Sequence, residues 1–234
     1  MKLDEQKLKK VIVALDHDYP EQAYRLVDEI GEYIEWFKIG PNLFTRSGHE
    51  VISFLHRKRK KIFLDMKLLD TPAVVSLTVK QFADLGVHLT TLHCLGGREM
   101  LEAAGFSCRS TQLQLLGITL LTSQRSADGK ELGFPQKDGD LVLKLFNLAL
   151  ETRLSGILCS PHELVDVKPK VMPGFLLVTP GIRIPGEEVF EDDQKRVASP
   201  QEAEAWGASH LIIGRPITQA REPREALEKL FRQD

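Results

Sequence analysis

The chain has 234 residues, 42% of them hydrophobic and 27% charged, with a formal net charge of −2 at pH 7. That size and apolar content suit one large domain with a substantial core. The near-neutral balance supplies neither the basic field that nucleic acid requires nor an acidic tail. The first ten residues, Met1 to Lys10, are too polar for a signal peptide. No apolar run approaches the roughly 20 residues of a membrane span, so the expected protein is soluble and cytoplasmic. Cys94, Cys108 and Cys159 have no metal-ligand spacing and cannot all pair with one another, which points to reduced thiols.

Taken in chain order, short apolar and β-branched runs recur at Val11–Leu15, Ile34–Ile39, Ile62–Met66, Leu89–Leu92, Leu113–Leu120, Gly156–Cys159, Phe175–Val178 and His210–Ile213. Segments with helical spacing lie between them, at Glu21–Ile30, Val51–Arg57, Val74–Leu85, Leu141–Arg153, Glu202–Trp206 and Pro223–Phe231. Strands alternating with helices at roughly 25–30 residues per unit predict a parallel sheet. Eight such units predict a (β/α)8 barrel that occupies residues 1–234 as a single domain. A doubly wound open sheet competes, because period counting does not reveal closure. The first strand is followed by Asp16-His17-Asp18-Tyr19 and not by a glycine-rich nucleotide fingerprint.

Polar residues collect where these strands end: Asp16 after the first, Lys38 in the second, Asp65 and Lys67 in the third, His93 on the fourth, Thr122-Ser123 after the fifth, Thr179 to Arg183 after the seventh, and Gly214-Arg215 after the eighth. Charges at the C-terminal ends of successive strands are what a barrel active site requires. The densest group is Lys61 to Pro72. Alternation along a strand puts Phe63, Asp65 and Lys67 on one face, with Leu64 and Met66 on the other. Opposite charges in an apolar strand are costly unless paired or used. Asp70 follows in a turn, and Thr71-Pro72 reads as a helix N-cap with proline at the first helical position.

The loops after strands seven and eight suit a phosphate group. Gly181 and Gly214 let backbone N–H groups approach a ligand, and Arg183 and Arg215 can make charge-assisted bidentate bonds. The segment from about 182 to 199 has no clear period and is expected to act as a lid, with Gln194 in contact with the ligand when it closes. His17, His49, His56, His162 and His210 are scattered, as expected for surface or internally satisfied histidines; His93 is expected either to touch a ligand or to take a packing or supporting role. No serine elbow and no histidine metal spacing appears.

The segments Ala14-Leu15-Asp16, Phe37-Lys38-Ile39-Gly40, Phe63 to Asp70, Leu121-Thr122-Ser123, Val178 to Arg183, Asp193 to Val197 and Ile213-Gly214-Arg215 resemble, in the same order, the orotidine 5′-phosphate decarboxylase family. The Asp-x-Lys-x-x-Asp core is shared by a wider group of barrel enzymes; its combination with Pro-Gly-Ile-Arg and the terminal Gly-Arg is more specific. The resemblance implies a homodimer of barrels with active sites at the interface, converting orotidine 5′-phosphate to uridine 5′-phosphate and CO2 without metal or organic cofactor. It implies that Lys67 protonates C6, that Asp65 lies beside the substrate carboxylate, and that Lys38 and Asp70 complete an alternating charge chain. Asp70 would come from the neighbouring subunit. Asp16 would bind ribose, Thr122 or Ser123 would lie near the pyrimidine, and Gln194, Gly214 and Arg215 would hold the phosphate side, with Pro180 and Arg183 also counted as substrate-binding. One position departs: the family commonly has threonine where this chain has Val74, which cannot donate a hydrogen bond.

Two rivals follow from the same residues. Sugar-phosphate decarboxylases and aldolase-like enzymes of this barrel group use Mg²⁺ held partly by a carboxylate on strand two, where this chain has Lys38, a fixed cation that repels the metal. A non-catalytic phosphate-binding barrel would keep Arg183, Gly214 and Arg215 but has no use for Asp65, Lys67 and Asp70.

Overall fold

The computed structural model describes residues 5–121, 131, 133–134, 138–184 and 196–231. Among them, parallel strands β1 (Val11–Ala14), β2 (Trp36–Ile39), β3 (Lys61–Leu68), β4 (Leu89–His93), β5 (Gln114–Ile118), β6 (Gly156–Leu158), β7 (Leu176–Thr179) and β8 (His210–Ile213) succeed one another around a closed barrel. Closure rests on β1, which pairs with β2 through Ile12–Trp36 and with β8 through Ile12–Ile212. The architecture is therefore a (β/α)8 barrel and not an open doubly wound sheet.

The period of two along each strand separates two apolar layers. Ile12, Ala14, Phe63, Leu89, Leu116, Val178 and Ile212 face inward and fill the barrel. Val11, Val13, Phe37, Ile39, Ile62 and Leu64 face outward and pack beneath the helices. At the N-terminal end of the barrel Trp36 lies edge-on to both His88 and His210, with ring centroids 5.9 and 5.8 Å away, and the Lys61 ammonium is 5.2 Å from its indole centroid.

The helix boundaries refine the sequence reading. The segment read as Val74–Leu85 is a helix over Pro72–Asp84, with Thr71 at the N-cap and Pro72 at the first position, although the Thr71 side chain makes no capping bond. Besides single-turn helices, two longer ones among the described residues were absent from the sequence reading, Pro41–Ser47 and Gly97–Ser107. The first is short and is closed by Gly48 at φ +52°; the second contains Gly97 and Gly105, which weaken helix propensity and blur the period. Met100, Leu101 and Ala104 give the second helix its buried face. Strand β5 stops at Ile118, short of the expected Leu120, and β3 runs on to Leu68.

Candidate active site

Strand β3 carries the centre of the site to the C-terminal mouth of the barrel. Phe63 and Asp65 follow ordinary alternation and are buried. Beyond them the pleat breaks: the register with β4 shifts between Leu64 and Leu68, and Lys67 adopts φ +50°. For a residue with a Cβ that left-handed conformation costs about 1–2 kcal/mol. It persists because Thr91 on β4 holds both sides of the bulge. The Lys67 N–H donates to Thr91 Oγ1 at 2.9 Å, and that hydroxyl donates to Asp65 Oδ1 at 2.8 Å. Asp65 and Lys67 thus meet as expected, but a bulge locked by a neighbouring strand brings them together in place of simple alternation.

The charges form a chain. Lys67 Nζ lies 2.7 Å from Asp65 Oδ2, Lys38 Nζ lies 3.5 Å from the same oxygen, and Lys38 Nζ donates to Asp16 Oδ1 at 3.0 Å. Two ammoniums alternate with two carboxylates, so the array sums to zero. Burial alone would push the Asp65 carboxyl up; the Lys38 and Lys67 ammoniums and the hydrogen bonds from Lys67 and Thr91 outweigh it and hold the group below the usual carboxylate range. Burial alone would likewise lower Lys38, but Asp16 and then Asp65 overcome it and keep the amine charged. Gly40 makes room for this pairing, because a Cβ there would come within 3.0 Å of Asp16 Oδ1 and 3.5 Å of Lys38 Nζ.

The array lines a cavity of about 630 Å³, within the range of small-molecule sites. Ala14, Leu121, Leu158, Pro180 and Ile212 supply apolar lining, and Gly181, Arg183, Gly214 and Arg215 line it as well. Gly181, at φ +78°, turns the chain out of β7 so that Arg183 reaches the cavity. Of the residues singled out from sequence, Asp16, Lys38, Asp65, Lys67, Pro180, Arg183, Gly214 and Arg215 are therefore gathered in one place.

Asp70 is not. It is exposed on the rim, where its Oδ1 accepts the Thr71 N–H at 2.6 Å. Asp16, expected at the ribose, takes the fourth place in the charge chain within this subunit. Thr122, Ser123 and Gln194 lie outside the described residues, as does 185–195 of the expected lid. The two ends of that segment are paired: Arg183 N–H donates to the Ala198 carbonyl at 2.9 Å, and Ala198 N–H to the Gly181 carbonyl at 3.1 Å.

Sequence reasoning missed several residues. Thr91 is a second-strand support whose signal was a Thr90-Thr91 pair inside a strand that is otherwise apolar up to His93. His17, grouped with scattered surface histidines, instead lines the cavity together with Asp18, Gln22, Thr218 and Gln219. The polar run after β1 carried that information, since it falls at the catalytic end of a strand. His93 is half-buried, and burial together with the Lys67 charge lowers its pKa. Among the described residues no group of three or more His, Cys, Asp or Glu is placed to hold a metal ion, and no helix is long and apolar enough to cross a membrane.

The family model described as "Orotidine 5′-phosphate decarboxylase / HUMPS family" matches residues 9–230. The chain belongs to that family. Orotidine 5′-phosphate decarboxylases at high coverage include one from Coxiella burnetii, 40% identical over 225 residues and 94% of both chains. Another, from Vibrio cholerae, is 40% identical over 228 residues, covering 94% of this chain and 96% of the relative. The crystal structure of orotidine 5′-phosphate decarboxylase from Lactobacillus acidophilus superposes with a TM-score of 0.83 at 34% identity, over 95% of this chain and 97% of that one.

Proposed function

We propose that Lys67 is the proton donor to C6 in the reaction that family membership assigns to this chain, decarboxylation of orotidine 5′-phosphate to uridine 5′-phosphate and CO2 in pyrimidine biosynthesis. The observation that carries this reading is the neutral Lys67–Asp65–Lys38–Asp16 array lining the same cavity as Gly181, Arg183, Gly214 and Arg215. Loss of CO2 leaves negative charge on a ring carbon with no adjacent carbonyl to spread it. An ammonium already in place stabilises that charge without reorganisation and can then transfer its proton. Asp65 fixes the ammonium, and the substrate carboxylate beside it experiences repulsion that ends when CO2 departs. One ion pair at 4 Å and an effective dielectric of 20 supplies only ~4 kcal/mol, well short of the ~23 kcal/mol at the upper end of typical enzymatic accelerations. The remainder comes from binding the phosphate and ribose, which organises the site around the reacting carbon. In this assignment Arg215, Gly214, Arg183 and Gln194 hold the phosphate side, Asp16 the ribose, and Thr122 or Ser123 the pyrimidine, with Pro180 also contacting the substrate.

The enzyme acts as a homodimer in this reading, with Asp70 entering the neighbouring site. Support comes from the rim, where Asp70 is surrounded by exposed apolar side chains: Leu69 is 57%, Val74 45% and Leu77 65% accessible in the monomer. Large exposed apolar side chains close in sequence to a solvent-facing carboxylate suit an interface patch. Val74, where the family commonly has threonine, lies in this patch and would contribute packing. Three buried free thiols fit a reducing compartment, the cytoplasm.

The metal-dependent sugar-phosphate reading is disfavoured by Lys38, whose ammonium occupies the position between Asp16 and Asp65 that a divalent ion would need. The deciding experiment adds orotidine 5′-phosphate to the purified protein in EDTA and follows pyrimidine absorbance. Turnover is expected with the parent protein, and none with Lys67→Ala, which keeps its circular dichroism. Activity that vanishes in EDTA and returns with Mg²⁺, or a Lys67→Ala protein of near-normal activity, overturns the assignment.

A further inference from the structure

Behind the cavity wall lies a second charged cluster that the chemistry above does not use. Glu163, in the short turn after β6, is only 7% accessible. Its Oε2 accepts the Ser160 N–H at 3.2 Å and the Thr119 hydroxyl at 3.3 Å, and its Oε1 pairs with Arg196 Nη1. The other arm of the guanidinium, Nη2, donates to the Leu121 carbonyl at 3.2 Å. One carboxylate thereby ties together the chain leaving β5 (Thr119), the turn after β6 (Ser160) and the returning end of the loop after β7 (Arg196). Leu121 lines the cavity, and Arg196 stands two residues before Ala198, which is paired with Gly181 and Arg183 on the cavity wall. A lone surface ion pair needs no such arrangement; a planar fork that bonds a buried carboxylate with one nitrogen and a loop carbonyl with the other acts as a joint.

We propose that Arg196 is a positioning residue for the decarboxylation: held by Glu163, it sets the Leu121 carbonyl and so the place where the loops after β5 and β7 meet the barrel beside the substrate. This rests on the decarboxylase reading. Arg196 touches no reacting atom; it acts through Leu121 and through the strand pairing at Ala198. A merely structural pair would matter only because removing one partner strands a buried charge. The two roles separate in a set of variants.

Arg196→Met leaves Glu163 unpaired, so both its melting temperature and its kcat/KM fall. Adding Glu163→Gln removes the stranded charge and returns the melting temperature towards the parent value. Positioning predicts that kcat/KM of this double variant stays at least tenfold below the parent, because the bond to the Leu121 carbonyl is still missing. Arg196→Lys keeps the charge opposite Glu163 but has no second nitrogen to reach Leu121. It is expected to melt near the parent temperature with a similar kinetic loss, and it carries the comparison if the double variant does not fold. Parent-like kcat/KM in Arg196→Lys, or in a folded double variant, overturns the proposal while leaving the decarboxylase reading intact. Absence of turnover in the parent protein overturns both.

Discussion

Replacing Thr91 with valine removes one hydroxyl and leaves the shape of the side chain almost unchanged, so it isolates what holds the bulge in β3. Two bonds disappear: acceptance of the Lys67 N–H at 2.9 Å and donation to Asp65 Oδ1 at 2.8 Å. A hydrogen bond to a charged group contributes about 1.5–3 kcal/mol and a neutral one about 0.5–1.5 kcal/mol, so together they contribute roughly 2–4 kcal/mol. Part of that loss falls on stability, because Lys67 at φ +50° relaxes once its N–H loses its anchor. With about 1–2 kcal/mol of the loss falling on stability, at about 2–4 °C per kcal/mol for a chain of this size, the melting temperature should drop by roughly 2–8 °C. The rest falls on catalysis. Each 1.4 kcal/mol is a factor of ten, and a share of one to two such steps predicts a loss of about 10- to 100-fold in kcat/KM. The Asp65 carboxyl also moves up towards its ordinary value. Its depressed pKa contributes stability that is present above the unfolded carboxylate value and is lost as pH falls through the folded one, so the acid limb of unfolding should shift to higher pH. Thr91→Ser keeps the hydroxyl and serves as the control. Initial rates and thermal melts on the three proteins suffice: parent-like kcat/KM in Thr91→Val would refute the view that β4 positions the lysine.

Mixing Lys67→Ala with Asp70→Ala protein tests the shared site: after subunit exchange half the dimers are mixed and each holds one complete site, so activity should recover to roughly a quarter of the parent value. Two inactive proteins that stay inactive on mixing, under conditions where exchange is seen by native mass spectrometry, would argue against a partner's Asp70. At the opposite end of the barrel, burial, with Lys61 and Lys10 nearby, lowers His210 from 6.5 to about 4. The folded state thus favours neutral imidazole, and its stability is complete above pH 6.5 and is lost as pH falls towards 4. At 1.36 kcal/mol per pH unit, reduced for partial solvent screening, the loss is on the order of 2 kcal/mol. His210→Phe should flatten that part of the stability curve, measured by urea unfolding between pH 7 and 4; an unchanged slope would sink the idea. Gly40→Ala should crowd the Asp16–Lys38 pair and raise KM without unfolding the protein, read from steady-state kinetics and a thermal melt.

Much of the site could be read in the chain because barrel chemistry is collected at strand ends, and strand ends are local. Asp16, Lys38, Asp65, Lys67, Gly214 and Arg215 each stand where an apolar run stops, so their gathering into one mouth needed only the expectation of a barrel. Thr91, Glu163 and Arg196 were not legible in the same way. Each is a polar residue with a partner 24 to 75 positions away, and nothing in its immediate neighbourhood tells a buried partner from solvent. His17 was misread for a related reason: a histidine beside two aspartates looks solvated until the cavity is seen to reach it. Asp70, expected to serve the neighbouring subunit's site, stands on the rim of its own subunit, outside the cavity.

Composition, alternation and the spacing of apolar runs, which act over a few residues at a time, were enough to determine eight strand–helix units and the identity of the charged strand ends; the resemblance to a family of decarboxylases rested on the residues at those ends. The pairing of β1 with β8, the left-handed turn at Lys67 and the order in which four charges neutralise one another depend on residues far apart in the chain. Those were decided only when the barrel closed, because burying a charge is tolerable only once its distant partner has arrived.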